Sequence, residues 1–398
     1  MIRQVCVVGL GHVGLPTAAL LARAGLEVTG CDTAPEVVSA VNAGRVPDTE
    51  PGLAALVRDA TASGRLRAQT RPAPADAILI AVPTPVTPPG HADLAAVEAA
   101  CDSIAPHLRA GDLIVLESTC PVGTTERIAG RLAALRPGLH LHLAACPERV
   151  LPGDALREIV ANDRVIGGLT PACAERASGL YAHFVTGALT LTDSRTAEFV
   201  KLAENAHRDV AIAFANELAA VAERLGVAAG EAIALANRHP RVTILSPGIG
   251  VGGHCIPVDP LFLIEAAPQA TALMRAARAV NDARPAEIAS RLRAACAGLR
   301  DPLVALFGLT YKPDAADMRN SPAVTIAELL SRDDALRLLV CDPHVVTLPE
   351  ALRGRPVTLT TADAAMATAD IAAILVPHRA FAALPGAAPT GQPWRVRR

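Results

Sequence analysis

Residues 5–32 read VCVVGLGHVGLPTAALLARAGLEVTGCD, and this stretch decides the fold. Val5–Val8 is a short apolar strand, and Pro16–Ala24 has the composition of a helix. Leu26–Cys31 is a second strand that ends in Asp32. Between the first strand and the helix lies Gly9-Leu-Gly11-His-Val13-Gly14, a GxGxxG loop. In a βαβ unit the first glycine makes the turn and the second admits a pyrophosphate. The third lets helix and strand pack closely, while the helix N-terminus faces the phosphates. A carboxylate at the end of the second strand accepts from both ribose hydroxyls, which favours NAD over NADP. Gly9, Gly11, Val13, Gly14 and Asp32 are therefore cofactor-binding candidates.

Outward from this unit the same rhythm continues. Ala77–Val82, Leu113–Leu116 and Leu141–Ala145 are near-continuous apolar runs, as expected of parallel strands covered on both faces. The loops after them (83–85, 118–121 and 147–149) lie where ligands bind in open α/β sheets. Arg164–Ile166 and Ala188–Leu191 are shorter strand candidates that close a first domain, 1–192. From Ser194 to about Leu225 neither Pro nor Gly occurs. This predicts one helix of roughly 48 Å, capped by Asp193 or Ser194 and stopped at Gly226. Such a helix suits a junction between domains and a dimer interface, with short helices following to about Ala283. A helical middle, 193–298, gives way near Asp301 to a second α/β rhythm, 299–398. Its strands are Leu303–Phe307, Arg337–Cys341 and Ile371–Val376, with a helix near Ala323–Ser331. Lacking GxGxxG, this part reads as a doubly wound domain for a ligand other than NAD. Pro385–Arg398 is Pro/Gly-rich with a basic end and reads as loose.

Bulk composition narrows the class. With 398 residues, 51% hydrophobic and 19% charged, each domain can bury a core, and the net charge of −2 supplies no general field for nucleic acid or membrane. Aromatics at 2% leave no stacking platform for single strands. The N-terminus runs straight into a strand without a signal peptide, and no apolar run is long enough to span a bilayer. These features point to the cytoplasm. The nine cysteines show neither CxxC spacing nor Cys/His clusters, so no zinc site is expected. Cys6, Cys31, Cys146 and Cys341 fall in or beside strands and read as small core residues.

One cysteine reads differently. GVGGHCIPVDP, 250–260, places Cys255 after a glycine pair and four residues before Asp259. A thiol in such a loop suits covalent catalysis at a carbonyl carbon. Combined with a nicotinamide cofactor, it suggests oxidation past the aldehyde through a thioester. His254 adjoins the thiol, but adjacent side chains diverge, so it is not taken as a catalytic partner. On the long helix, Lys201, Asn205 and Arg208 stand at i, i+4 and i+7 and share a face. A lysine there can stabilise an alkoxide or accept a proton; the alternative is a solvated polar stripe. Asn237-Arg-His239-Pro-Arg241 is either a grip on phosphates or a helix end with dipole-complementing cations. Tyr311-Lys312 and Arg319 follow the first strand of the last domain. There they suit a nucleotide diphosphate, an ordinary surface loop being the alternative.

Several longer segments sharpen this. ESTCPVGTTE (117–126), CPERVLPG (146–153), NDRVIGG (162–168), SRTAEFVKLAEN (194–205), NRHPRV (237–242) and GVGGHCIPVDP occur in this order. In them the chain resembles the UDP-glucose/GDP-mannose dehydrogenase family, from Ile2 to about Val376, and within it the UDP-N-acetyl-D-mannosamine dehydrogenases most. The resemblance implies an N-terminal Rossmann NAD-binding domain, a central helical dimerisation domain and a C-terminal Rossmann-like UDP-binding domain. It implies a homodimer and a four-electron oxidation of a UDP-sugar C6 alcohol to the uronic acid, with two NAD⁺ used in turn. Cys255 would be the nucleophile, with Lys201, Asn205 and Asp259 handling protons and oxyanions. Glu148 would be the base for hydrolysis, and Thr119 would lie beside the nicotinamide. Arg149, Val150, Lys201, Asn205, Arg208, His239, Arg241, Gly252, Tyr311 and Lys312 match sugar-nucleotide contacts, His239 and Arg241 acting across the dimer. Val13, Asp32, Thr84, Thr119 and Arg319 match NAD contacts.

The chain departs from the pattern at His12, where a tyrosine is usual. It departs also at 389–394, where the closing Asp-x-x-Gly strand and a nucleotide-binding lysine are missing. UDP-N-acetylmannosamine is the expected substrate, with UDP-glucose or UDP-N-acetylglucosamine as neighbours. A non-catalytic NAD binder and a one-step hydroxyacid dehydrogenase are the readings from other classes; the second would not need Cys255.

Overall fold

The computed structural model describes residues 2–46, 50–87, 90–150, 153–384 and 394–395. The chain forms two compact units. One comprises Met1–Glu204 with Leu261–Ala266, and the other Asn205–Pro260 with Ala267–Arg398.

The first unit is built on ten strands in chain order. They are β1 (Gln4–Val8), β2 (Glu27–Cys31), β3 (Leu66–Gln69), β4 (Ala77–Ile80), β5 (Val86–Thr87), β6 (His91–Ala92), β7 (Leu113–Leu116), β8 (His142–Ala145), β9 (Arg164–Gly168) and β10 (Leu189–Asp193). All but β5 and β6, which pair as a hairpin, lie in one sheet of order β10-β9-β8-β7-β4-β1-β2-β3. Every pairing in that sheet is parallel except β8 with β9. The order reverses between β1 and β4, the switch point at which open α/β sheets take their ligands. Central strands β4 and β7 are buried at every residue, as their continuous apolar runs require.

At the switch point the predicted glycine turn is present. Gly9 has φ +95, and an added Cβ on Gly14 would overlap the Gly9 carbonyl, so neither position admits a side chain. A Cβ on Gly11 would meet nothing within 4 Å, which leaves the approach to the helix N-terminus open. The helix itself covers Gly14–Arg23.

The long helix runs Ser194–Arg224, 31 residues. Asp193 caps it, accepting the Thr196 N–H at 2.9 Å and the Thr196 hydroxyl at 2.6 Å. Gly226, at φ +69, ends it, and Val227 N–H returns to Ala222 O at 2.8 Å in a Schellman-type closure.

In the second unit the remaining strands are β11 (Leu303–Phe307), β12 (Arg337–Cys341), β13 (Val357–Leu359), β14 (Ile371–Ile374) and β15 (Trp394–Arg395). They form a sheet of order β13-β12-β11-β14-β15, parallel except at β14–β15. Its first four strands follow the 3-2-1-4 order seen around β1.

Two expectations change. The helices after the long one are not all short: one spans Ala272–Ala295, 24 residues with Pro285 inside. An interior proline costs about 3 kcal/mol. Beyond it, Ile288, Ala289 and Leu292 are 1%, 0% and 0% exposed in the core of the second sheet. Burying the two larger side chains contributes about 1.5–3 kcal/mol each, enough to carry the helix through. The missing Asp-x-x-Gly segment also does not remove the closing strand, because Arg395 pairs with Ile371 and Trp394 with Ala372. The backbone supplies that pairing whatever the side chains. The rest of the stretch read as loose, 385–393 and 396–398, lies outside the described residues.

Candidate active site

In the first unit the cofactor candidates gather at the carboxyl ends of the central strands. Asp32 accepts Leu10 N–H at 2.9 Å and Ala34 N–H at 3.0 Å, so its carboxylate sits beside the glycine turn. Thr84, after β4, donates its hydroxyl to Thr119 O, after β7, at 2.6 Å. This bond joins two of the loops expected to meet the nicotinamide. Gly9, Gly11, Val13 and Gly14 line the turn between. The open approach at Gly11 and the acidic strand end together fit a dinucleotide.

Behind these loops lies a buried polar cluster. Glu148 is 8% exposed; its Oε1 accepts Arg149 N–H at 2.7 Å, and its Oε2 accepts from Arg164 Nη2 at 2.7 Å. The Arg164 guanidinium lies 4.7 Å from the Tyr181 ring centroid, a cation–π stack. The Tyr181 hydroxyl donates to Glu117 Oε1 at 2.7 Å. Arg149 leaves Glu148 to pair with Glu204, Nε to Oε2 at 3.0 Å, and Val150 follows it on the same loop. Arg164, Glu117 and Tyr181 were not identified from sequence as site residues. Only the polar positions inside apolar strands, Glu117 after β7 and Arg164 opening β9, hinted at them.

Glu117 is pushed up to about 7. Burial is the main cause; Arg164 opposes it, Glu148 reinforces it, and the Tyr181 bond opposes it. An acid raised in the folded state gives up its proton first when unfolded. Its contribution to stability is therefore complete below the unfolded carboxyl range and lost as pH rises toward about 7. A tenfold difference in proton affinity between folded and unfolded chain is worth about 1.4 kcal/mol. A Glu117→Gln variant should flatten the fall in denaturant midpoint between about pH 5 and about pH 7.5, measured by urea unfolding. An unchanged slope would assign the pH dependence to other groups.

In the second unit the nucleophile candidate stands out by elimination. Eight of the nine cysteines are buried, and Cys255 alone is not. Burial raises the thiols of Cys31 and Cys101 to about 12 and those of Cys146 and Cys341 to about 11, so all four keep their protons. Cys255 ends the glycine turn, and its carbonyl accepts Asp259 N–H at 2.8 Å, one turn before the Asp259–Ala266 helix. Asp259 is 3% exposed, and its Oδ2 accepts from Asn205 Nδ2 at 2.6 Å. Two of the expected catalytic groups are thus in direct contact. Lys201 is half-buried one turn before Asn205, and Arg208 is exposed one turn after it.

The glycine turn rests on Tyr311. A Cβ on Gly252 would come within 2.7 Å of Tyr311 Cβ, and one on Gly253 within 3.0 Å of its ring. Gly253 N–H donates to Arg319 O at 3.0 Å, and Asn320 Nδ2 donates to Gly253 O at 3.0 Å. Arg319 itself pairs with Asp317 at 2.7 Å, and Lys312 follows Tyr311 on the same loop. His239 and Arg241 are exposed on a loop closed by Asn237, which donates to Ile244 O at 2.9 Å and accepts Ile244 N–H at 2.7 Å.

A dinucleotide turn in one unit, and in the other a half-buried thiol four residues before the carboxylate of a buried carboxylate–amide pair, fit the class of nicotinamide-dependent dehydrogenases. Family models agree. Residues 3–185 match the NAD binding domain of the UDP-glucose/GDP-mannose dehydrogenase family, 195–283 its central domain and 305–391 its UDP binding domain. The chain belongs to the UDP-glucose/GDP-mannose dehydrogenase family, and it is an NAD-dependent nucleotide-sugar dehydrogenase. It is 50% identical over 389 residues to an NDP-N-acetyl-D-galactosaminuronic acid dehydrogenase of Ralstonia nicotianae, covering 95% of this chain and 92% of that one. It is 47% identical over 400 residues to the UDP-N-acetyl-D-mannosamine dehydrogenase of Escherichia coli, covering 96% and 95%. Among solved structures, a UDP-D-ManNAc dehydrogenase from Pyrococcus horikoshii superposes with a TM-score of 0.89 at 37% identity, covering 96% of this chain and 91% of that one. No helix among the described residues is long and apolar enough to cross a membrane.

Proposed function

We propose that the protein oxidises the C6 alcohol of a UDP-linked 2-acetamido sugar to the carboxylate, UDP-N-acetyl-D-mannosamine to its uronate, with Cys255 as covalent nucleophile. The carrying observation is that one thiol of nine is accessible, and that it sits one helical turn ahead of the buried Asp259–Asn205 pair. When bound, NAD supplies the hydride acceptor for both oxidations. Gly9, Gly11, Val13, Gly14, Asp32, Thr84, Thr119 and Arg319 would hold it. Lys201 takes the C6 hydroxyl proton and steadies the developing oxyanion together with Asn205. The Cys255 sulfur adds to the resulting aldehyde carbon, and the oxygen becomes the hydroxyl of a thiohemiacetal. That adduct retains the aldehyde against escape, and loss of a second hydride together with the hydroxyl proton converts it into a thioester.

Water then attacks the acyl carbon, with Glu148 accepting its proton and the Cys255 thiolate leaving. Asp259, held by Asn205, orders that water. One alcohol, two NAD⁺ and one water give one carboxylate, two NADH and three protons. Arg149, Val150, Arg208, Gly252, Tyr311 and Lys312 grip the sugar nucleotide. In a homodimer of these chains His239 and Arg241 reach the neighbouring site. This reading divides the chain into cofactor, central and nucleotide domains at 1–192, 193–298 and 299–398.

The galacto-configured sugar is a second reading, favoured by the identity with the Ralstonia protein. The discriminating experiment incubates the enzyme with UDP-N-acetylmannosamine, UDP-N-acetylgalactosamine, UDP-N-acetylglucosamine and UDP-glucose. NADH and product mass are read for each. Two NADH per mannosamine-type uronate are expected. One NADH with released aldehyde would overturn the covalent route, and a preference for another sugar would reassign the substrate.

A further inference from the structure

The two α/β cores repeat one another in detail. In the first, Gly9 N–H donates to Cys31 O at 2.8 Å, Leu10 N–H to Asp32 Oδ2 at 2.9 Å and Ala34 N–H to Asp32 Oδ1 at 3.0 Å. In the second, Gly308 N–H donates to Cys341 O at 2.7 Å, Leu309 N–H to Asp342 Oδ2 at 2.7 Å and His344 N–H to Asp342 Oδ1 at 2.8 Å. A Gly-Leu pair and a Cys-Asp pair thus stand at matching places. What differs is the far side of the carboxylate. Asp32 is half-buried, whereas the side chains of Asp342 and His378 are both 0% exposed.

His378 fills the place beside Asp342. Its Nε2 lies 3.0 Å from Asp342 Oδ2, and its Nδ1 accepts Asp314 N–H at 2.9 Å. The second bond leaves the proton on Nε2, so the imidazole donates to the carboxylate. Thr310 Oγ1 lies 3.1 Å from the same Nε2 and donates to Lys312 O at 3.0 Å. Asp314 is held from the other side by Arg379, whose Nε donates to Oδ2 at 2.8 Å. One ring therefore fastens both ends of the loop 310–314, whose middle bears Tyr311 and Lys312. Asp314, His344 and His378 also cluster as metal-type donors. The Nδ1 lone pair that a metal would need is already spent on a backbone N–H, so the trio is not a cation site.

We propose that His378 is a positioning residue for the reaction. It occupies the spot where a dinucleotide-binding core leaves its acidic residue open to a ribose. In doing so it sets the 310–314 loop, and through the Tyr311 ring it sets the Gly252–Gly253 turn that presents Cys255. This rests on the reading of Tyr311, Lys312 and Cys255 given above.

The test compares wild type, His378→Leu and His378→Gln as full-length, NAD-saturated enzymes. UDP affinity is read by calorimetry, and the rate of Cys255 alkylation by iodoacetamide is read by mass spectrometry. Leucine should weaken UDP binding about tenfold, raise KM for the sugar nucleotide and change the alkylation rate, with NAD affinity unchanged. Glutamine, whose amide N–H can still donate to Asp342, should restore most of the loss. A folded leucine variant with wild-type UDP affinity and alkylation rate would overturn the proposal. Should the leucine variant not fold, Thr310→Val reads the same tie from the loop side, and unchanged values there overturn it equally. Wild-type enzyme that neither binds UDP nor forms NADH would strike at the proposed function instead.

Discussion

Replacing Cys255 with serine is expected to reduce uronate formation by about 10³-fold or more, while NAD binding stays at the wild-type level. Sulfur leaves an acyl carbon as a thiolate far more readily than a serine oxygen leaves as an alkoxide, so a serine adduct would stall as an ester. No other thiol can stand in, because the remaining eight cysteines are buried. The dinucleotide turn is formed by Gly9 and Gly14 in the other compact unit, so the cofactor should bind as before. Stopped-flow NADH formation and intact mass of the variant after incubation with substrate provide the measurement. Wild-type acid production would remove Cys255 from the mechanism, whereas loss of turnover with a stable acyl mass would support it.

Arg164→Leu should lower the stability of the first unit by about 3–5 kcal/mol, the usual cost of leaving a buried charge without its partner. Arg164 is 4% exposed, its guanidinium pairs with Glu148 at 2.7 Å, and its charge also favours the ionised form of Glu117. Without it two carboxylates remain inside the unit, and the stack on Tyr181 is lost as well. Glu148 would then lose the guanidinium that holds its Oε2, and a carboxylate turned out of place cannot take a proton from the attacking water. The folded fraction of the variant should accordingly accumulate acyl-enzyme at Cys255. Removing both charges, as in Arg164→Leu with Glu148→Gln, should recover much of the stability without recovering turnover. Urea denaturation and mass spectrometry separate the two effects. Stability of the single variant within about 1 kcal/mol of wild type would show that the pair is not coupled as described.

Much of this was legible in the chain because the informative features are local. The run from Val5 to Asp32 states strand, turn, helix and strand in order, and the glycines that carry it are needed by backbone geometry rather than by distant partners. The long helix was bounded correctly at Asp193 and Gly226, since capping chemistry is written within a few residues of each end. Cys255 announced itself through its glycines. The Ala272–Ala295 helix runs past the short helices expected up to about Ala283, because the packing that carries it through Pro285 comes from the second sheet and not from neighbouring residues. Arg164, Glu117, Tyr181 and His378 were passed over for the same reason. Each is one polar residue in or beside an apolar segment. The Glu117–Tyr181 partners are 64 residues apart, and His378 and Asp342 are 36 apart. No spacing rule joins them before the sheets have formed.

The burial of every sulfhydryl but one also governs how the molecule would fail under oxidative stress. Peroxide attacks accessible thiolates first, so sulfenic and then sulfinic acid should form at position 255 while the other sulfurs stay intact. Inactivation would be stoichiometric, one oxidised atom per lost centre, in a chain that otherwise keeps its shape. A reductant would rescue the earliest stage and none of the later ones.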